Sequence, residues 1–143
     1  MKQEEKLSPC RIALLKGIIL ASAIESEEIY GYEVYKKILE LTEGRWKPSL
    51  GTIYRILNEL SEQGLLSRIE ETKKQRPIIY YKITDKGIKE FLNIAKAYLE
   101  RISLGLTIVL NSLKKIKEQK GKLDPETENK LKKIHKKISE VIH

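Results

Sequence analysis

At 143 residues the chain is of ordinary single-domain size, long enough for one hydrophobic core and too short for two independent ones. Its 28 Lys+Arg against 20 Asp+Glu leave a formal charge of +8, which suits a polyanionic partner such as nucleic acid or an acidic surface. One cysteine, Cys10, and two histidines, His135 and His143, exclude an internal disulfide and are too few soft ligands for a zinc site, so no cofactor or metal is expected. No stretch approaches the roughly 18 apolar residues of a bilayer span, and the longest apolar pattern, residues 12–24, is interrupted by Lys16 and Gly17. The start MKQEEK lacks the apolar segment of a signal peptide. The expectation is a soluble cytoplasmic protein without a membrane partner.

Ser8 before Pro9 has the form of an N-cap followed by proline at the first helical position, and Ile12, Leu15, Ile19 and Ala23 then recur at helical spacing. A polar break at residues 25–28 leads to a second helix from Tyr30-Gly31-Tyr32-Glu33, with Val34, Ile38 and Leu41 on one face and an end near Gly44. Ser49 reads as another N-cap; Ile53, Ile56, Leu57 and Leu60 form the apolar stripe of a third helix closed by Gly64. Residues 65–71 and 77–84 then have strand-like content, the second alternating Ile79, Tyr81 and Ile83 with Tyr80 and Lys82. The polar segment Thr72-Lys73-Lys74-Gln75-Arg76 between them predicts a hairpin with a charged tip, with Pro77 at a strand start where a missing donor does least harm.

Beyond Thr84-Asp85-Lys86-Gly87, apolar residues fall at Ile88, Leu92, Ala95, Leu99, Ile102, Leu106, Val109, Leu113 and Ile116. The steps alternate four and three, the a/d seam of a coiled coil, so this face predicts a second helix against it. Gly121 breaks the pattern, and Asp124-Pro125 starts a last helix with Leu131, Ile134, Ile138 and Val141 on one side.

Three helices, a two-stranded hairpin and further helix follow the element order of a winged helix-turn-helix. In the third helix the apolar stripe leaves Ser49, Thr52, Arg55 and Asn58 on the other side. Arg and Asn are the side chains that make bidentate contacts to guanine and adenine edges, and a first turn containing Gly51 allows close approach to a groove wall or phosphate. An ordinary amphipathic surface helix has the same pattern. The basic hairpin tip, Lys73, Lys74 and Arg76, adds support for a DNA backbone contact, although such turns are commonly only solvated.

The segment Gly44-Arg45-Trp46-Lys47-Pro48-Ser49-Leu50-Gly51-Thr52-Ile53-Tyr54, with Leu57, Leu60 and Gly64-Leu65-Leu66 behind it, resembles the signature of the PadR family of transcriptional regulators. Gly31-Tyr32-Glu33 ahead of it and Tyr80-Tyr81-Lys82-Ile83-Thr84 with Gly87 after it agree in order and spacing, so the likeness covers roughly residues 12–87. The resemblance implies a winged-helix dimer that binds an operator, usually represses, and often loses DNA affinity when an effector binds. It implies Ser49, Thr52 and Tyr54 at the DNA face and the hairpin tip in the flanking groove. Arg55 departs from the family, many members of which carry proline after the tyrosine.

Some family members hold flat aromatic compounds between aromatic side chains, but Trp46 precedes the third helix and is expected to pack between helices two and three. The long helix offers only Phe91 and Tyr98 as aromatics, so no aromatic-ligand site is expected there. Tyr30, Tyr32 and Tyr35 are expected to divide between packing and surface. His135 and His143 have no evident nucleophile or orienting carboxylate nearby, no catalytic set is present, and an enzyme is not expected. Cys10, in a first helical turn, is a small residue at a helix start or, in a minority reading, a redox-sensing thiol. The lysines between Lys114 and Lys137 are expected to be solvated helix faces, with a second nucleic-acid surface as the minority alternative.

Together these readings predict a mainly α protein with a small antiparallel β-hairpin. Residues 1–7 form a flexible N-terminal tail, residues 8–87 a winged helix-turn-helix DNA-binding domain, and residues 88–143 a dimerisation region of a long helix and a terminal helix. The expected partners are double-stranded DNA, through Lys47, Ser49, Thr52, Tyr54, Arg55, Asn58, Lys73, Lys74 and Arg76, and a second copy of the chain through the nine seam residues. The effector is undefined and the setting is cytoplasmic, on the nucleoid. A non-specific chromatin protein and a winged helix kept for protein assembly are the alternatives.

Overall fold

A computed structural model describes residues 7–143; residues 1–6 of the expected tail lie outside the described residues. The seventh residue of that stretch, Leu7, is buried in the core. Five helices and two strands follow: α1 (Pro9–Glu25), α2 (Gly31–Leu41), α3 (Leu50–Glu62), β1 (Leu66–Lys73), β2 (Arg76–Ile83), α4 (Asp85–Lys120) and α5 (Pro125–Ile142). The chain is mainly helical with one antiparallel hairpin, a helix-turn-helix with a wing followed by further helices.

Side-chain caps set four of the five helix starts. The Ser8 hydroxyl accepts from the Arg11 N–H at 3.3 Å, Ser49 from Thr52 at 3.1 Å, Thr84 from Gly87 at 3.0 Å, and the Asp124 carboxylate from Thr127 at 3.0 Å. Such a cap typically contributes about 1 kcal/mol. The α2 start at Tyr30 has no side-chain cap. The turns after α2 and α3 use Gly44 at φ +75° and Gly64 at φ +77°, the left-handed region that closes helices.

The chain divides into two compact units at Lys96 and Ala97. In the first, Leu15, Ile19, Leu20 and Ala23 of α1 meet Val34 and Ile38 of α2, the α3 stripe of Ile53, Ile56, Leu57 and Leu60, and Leu65, Leu66 and Tyr81 of the hairpin root. Ile12 and Leu41, expected on these stripes, are 38% and 62% exposed. Both lie at helix ends, where the stripe runs past the neighbouring element. The first turns of α4 close this core with Phe91 and Ile94, half-buried, and Ile94 reaches within 3.7 Å of where a Cβ would stand on Gly17. Ile88 and Leu92, on the seam side of the same turns, remain 39% and 50% exposed.

The wing is tighter than expected. Residues 72 and 73 pair with 77 and 76, so the tip is the two-residue turn Lys74-Gln75 rather than a five-residue loop. Both turn residues have positive φ, 50° and 63°, as a type I′ turn requires, and neither is the usual glycine or asparagine. At the other end Ile29 bridges Tyr81, its N–H and C=O exchanging bonds of 3.0 and 2.9 Å, an extra rung absent from the expected order. The alternation along β2 also breaks: Tyr80 and Tyr81 are both buried, whereas Ile79 is 37% exposed. Tyr81 faces the core, while Tyr80 is covered from the other side by Tyr30, ring centroids 5.8 Å apart, and donates to Glu71 at 2.7 Å.

In the second unit α4 ends at Gly121, φ +81°, and α5 starts after Asp124. Not one of its described residues is buried. Leu106, Leu113 and Leu131 are half-buried, while Leu99, Ile102, Val109 and Ile116 are exposed.

Candidate nucleic-acid interface

The interface is built on the exposed side of α3. Ser49 caps the helix, and its hydroxyl also lies 2.8 Å from that of Thr52. Thr52 is therefore turned inward and buried, not exposed as its spacing suggested, because pairing of the two hydroxyls holds it against the helix start. Tyr54, 46% exposed, and Arg55 occupy the outer face, with Lys47 and Ser49 exposed ahead of them. Asn58 is exposed, but its side-chain oxygen accepts from the Tyr81 hydroxyl at 2.8 Å. That bond ties α3 to the wing and orients the Asn58 amide, using one of the two lone pairs of its oxygen.

Tyr54 is fixed by a residue whose part in the interface the sequence did not reveal. A Cβ on Gly31 would fall 2.3 Å from Tyr54 Cε1, so the tyrosine ring lies directly on the bare first turn of α2. Glycine is needed there for space, since its φ is ordinary. Tyr32, 54% exposed, stacks with Tyr35 at 6.2 Å on the same helix.

On the wing, Lys73 lies 3.9 Å from Glu71 and Arg68 3.8 Å from Glu70, exposed pairs worth little. Among the described residues, Lys74 and Arg76 make no ion pair, leaving two uncompensated cations at the tip. The hydrogen bond to Glu71 pushes the Tyr80 hydroxyl up to about 12, and desolvation with Glu28 beside it raises Tyr30.

Trp46 is half-buried against the core, as expected, with its indole N–H enclosed and without a hydrogen-bond partner among the described residues. It forms one wall of an open cleft of about 400 Å3 with Arg11, Leu14, Leu41, Thr42, Glu43 and Arg45. No group of three His, Cys, Asp or Glu among the described residues could hold a metal ion. No helix among them is long and apolar enough to cross a membrane.

Residues 19–93 match the model of the PadR-like family of transcriptional regulators, just over half of the chain. The chain belongs to that family. It is thereby placed among transcriptional regulators, and the PadR resemblance read from the α3 signature holds. The transcriptional regulator YqjI of Escherichia coli is 33% identical over 70 residues, 49% of this chain and 32% of that protein. The chain therefore spans about a third of the curated relatives it matches. A transcriptional regulator from Clostridium thermocellum is 27% identical with a TM-score of 0.56, covering 73% of this chain and 97% of that one. A PadR-like transcription factor from Bacteroides fragilis is also 27% identical, with a TM-score of 0.58, covering 69% and 93%.

Proposed function

We propose that this PadR-like chain is a sequence-specific regulator that binds an inverted-repeat operator as a homodimer and represses from it, in the cytoplasm on the nucleoid. The observation that carries the reading is an exposed, cap-fixed α3 face with Tyr54 and Arg55 in a unit that also carries a two-residue wing turn with unpaired Lys74 and Arg76. In this arrangement α3 enters the major groove, Arg55 supplies the base contact, and Lys47, Ser49, Tyr54 and the wing cations hold phosphates. Thr52 acts from behind, as the partner that orients Ser49.

Dimerisation is supported by the α4 seam, none of whose nine residues is buried in the single chain. A second copy covering Ile88, Leu92, Ala95, Leu99, Ile102, Leu106, Val109, Leu113 and Ile116 would remove this apolar face from water. A two-fold dimer would then set its α3 helices roughly 34 Å apart, one turn of DNA. The test is duplex binding by the charge-reversed variant Arg55→Glu with Lys74→Glu, in excess competitor DNA. Loss of the specific complex with the dimer intact supports the reading; undiminished binding at low salt contradicts it. A small-molecule effector is left without an assigned site.

A further inference from the structure

We propose that the lysine face of α5 is a second contact to duplex DNA, blind to sequence and directed at the phosphate backbone. It rests on the DNA-binding reading above and extends it to a part of the chain outside the winged helix. Residues 97–143 carry eleven basic against six acidic side chains, so a third of the chain holds +5 of the net +8. The excess is shared between the end of α4, with Lys114, Lys115, Lys117 and Lys120, and α5, whose five lysines stand against Glu126, Glu128 and Glu140.

The placement on α5 is one-sided. At 3.6 residues per turn, Leu131, Ile134, Ile138 and Val141 share one face, Lys132, Lys133 and Lys136 fall on the opposite side, and Lys130 and Lys137 lie on the flank between them. All five lysines are exposed. Lys130 and Lys132 pair with Glu126 and Glu128 at 3.3 and 3.4 Å, the i,i+4 geometry of ordinary helix-surface pairs. Lys133, Lys136 and Lys137 have no ion-pair partner among the described residues.

Two consequences point to a polyanion. The apolar side of α5, with Ile134 and Ile138 41% and 49% exposed, is the side an assembly would cover, so the lysine face stays in water whichever helix covers it. Joining two such units in a dimer brings two charges of +5 together, and the repulsion is relieved by a partner that neutralises several lysines at once. Lysines without arginine fit phosphate better than base edges, being strongly hydrated point charges without a planar fork. DNA is favoured over other polyanions because the same chain carries a DNA-reading helix.

The experiment is salt titration of duplex binding by the full chain and by the triple variant Lys133→Gln, Lys136→Gln, Lys137→Gln, with helicity and dimer mass checked in parallel. Glutamine keeps helix propensity and removes only charge. Each lost phosphate contact lowers the slope of log Kobs against log[salt] by about 0.9. With six lysines altered per dimer, we expect the slope to fall by at least about 2 and affinity at low salt to drop by at least about tenfold, the gap narrowing as salt rises. An unchanged slope overturns the proposal and leaves these lysines as solvated charge. A variant that binds duplex normally but loses binding to phosphatidylserine vesicles also overturns it, in favour of a membrane surface. If the wild type binds no duplex at low salt, the regulator reading itself fails, a result separate from either of these.

Discussion

Replacing Gly31 by alanine should separate DNA affinity from stability, because the space it fills belongs to Tyr54. The new methyl carbon would stand 2.3 Å from Tyr54 Cε1 and 2.8 Å from Cζ, so the ring must retreat by about 1 Å or swing to another rotamer. Tyr54 is half exposed and can move outward without breaching the core. Alanine also favours helix over glycine by up to about 1 kcal/mol, less at the first helical position, so the melting temperature should hold or rise slightly. If the Tyr54 hydroxyl contacts a phosphate, displacing it removes a hydrogen bond to a charged group, about 1.5–3 kcal/mol, or on the order of ten- to a hundredfold in affinity. The assay is fluorescence anisotropy with duplex DNA on Gly31→Ala, Tyr54→Ala and the double variant. Acting through Tyr54, Gly31→Ala should cost nothing further once Tyr54 is gone. A full loss in the Tyr54→Ala background, or no loss in the wild type, refutes the reasoning.

Other perturbations have different signatures. Gly87→Ala should destabilise the fold by about 3 kcal/mol or more, because its Cβ would meet the Leu65 carbonyl oxygen at 2.1 Å, a backbone atom that cannot step aside; an unchanged denaturant midpoint would contradict this. Leu99→Lys with Val109→Lys, both on the seam and both at least 50% exposed in the single chain, should shift sedimentation from dimer to monomer while leaving the winged-helix unit folded. A dimer of undiminished stability would place the interface elsewhere. The folded pKa of Tyr80, about 12, lies above its ordinary 10, so the stability it contributes is complete below about pH 10 and is lost as pH rises toward 12. Tyr80→Phe should therefore flatten the alkaline fall in melting temperature over that window, and an identical pH profile would remove Tyr80 as its source.

Where one local rule decided the outcome, the sequence was a sufficient guide. Ser8, Ser49 and Asp124 cap helices as their positions announced, and the α3 stripe is buried as its spacing required. The misreadings arose where a distant element intervened. Tyr80 is buried because Tyr30, 50 residues earlier in the chain, covers it. Thr52 turned inward through its neighbour Ser49, a side-chain pairing that periodicity does not record. The wing turn was overestimated because Lys74-Gln75 lacks the glycine or asparagine that marks a type I′ turn. Gly31 was legible as part of a motif, but its reason, the Tyr54 ring, was not.

The central claim, that α3 and the wing read a defined operator as a two-fold dimer, is tested most directly by selecting bound genomic fragments and footprinting the enriched sequences against competitor DNA. The account predicts a recurrent inverted repeat with half-site centres about one helical turn, roughly 34 Å, apart and protection confined to it. Protection spread evenly over any duplex, with no enriched sequence, would contradict it.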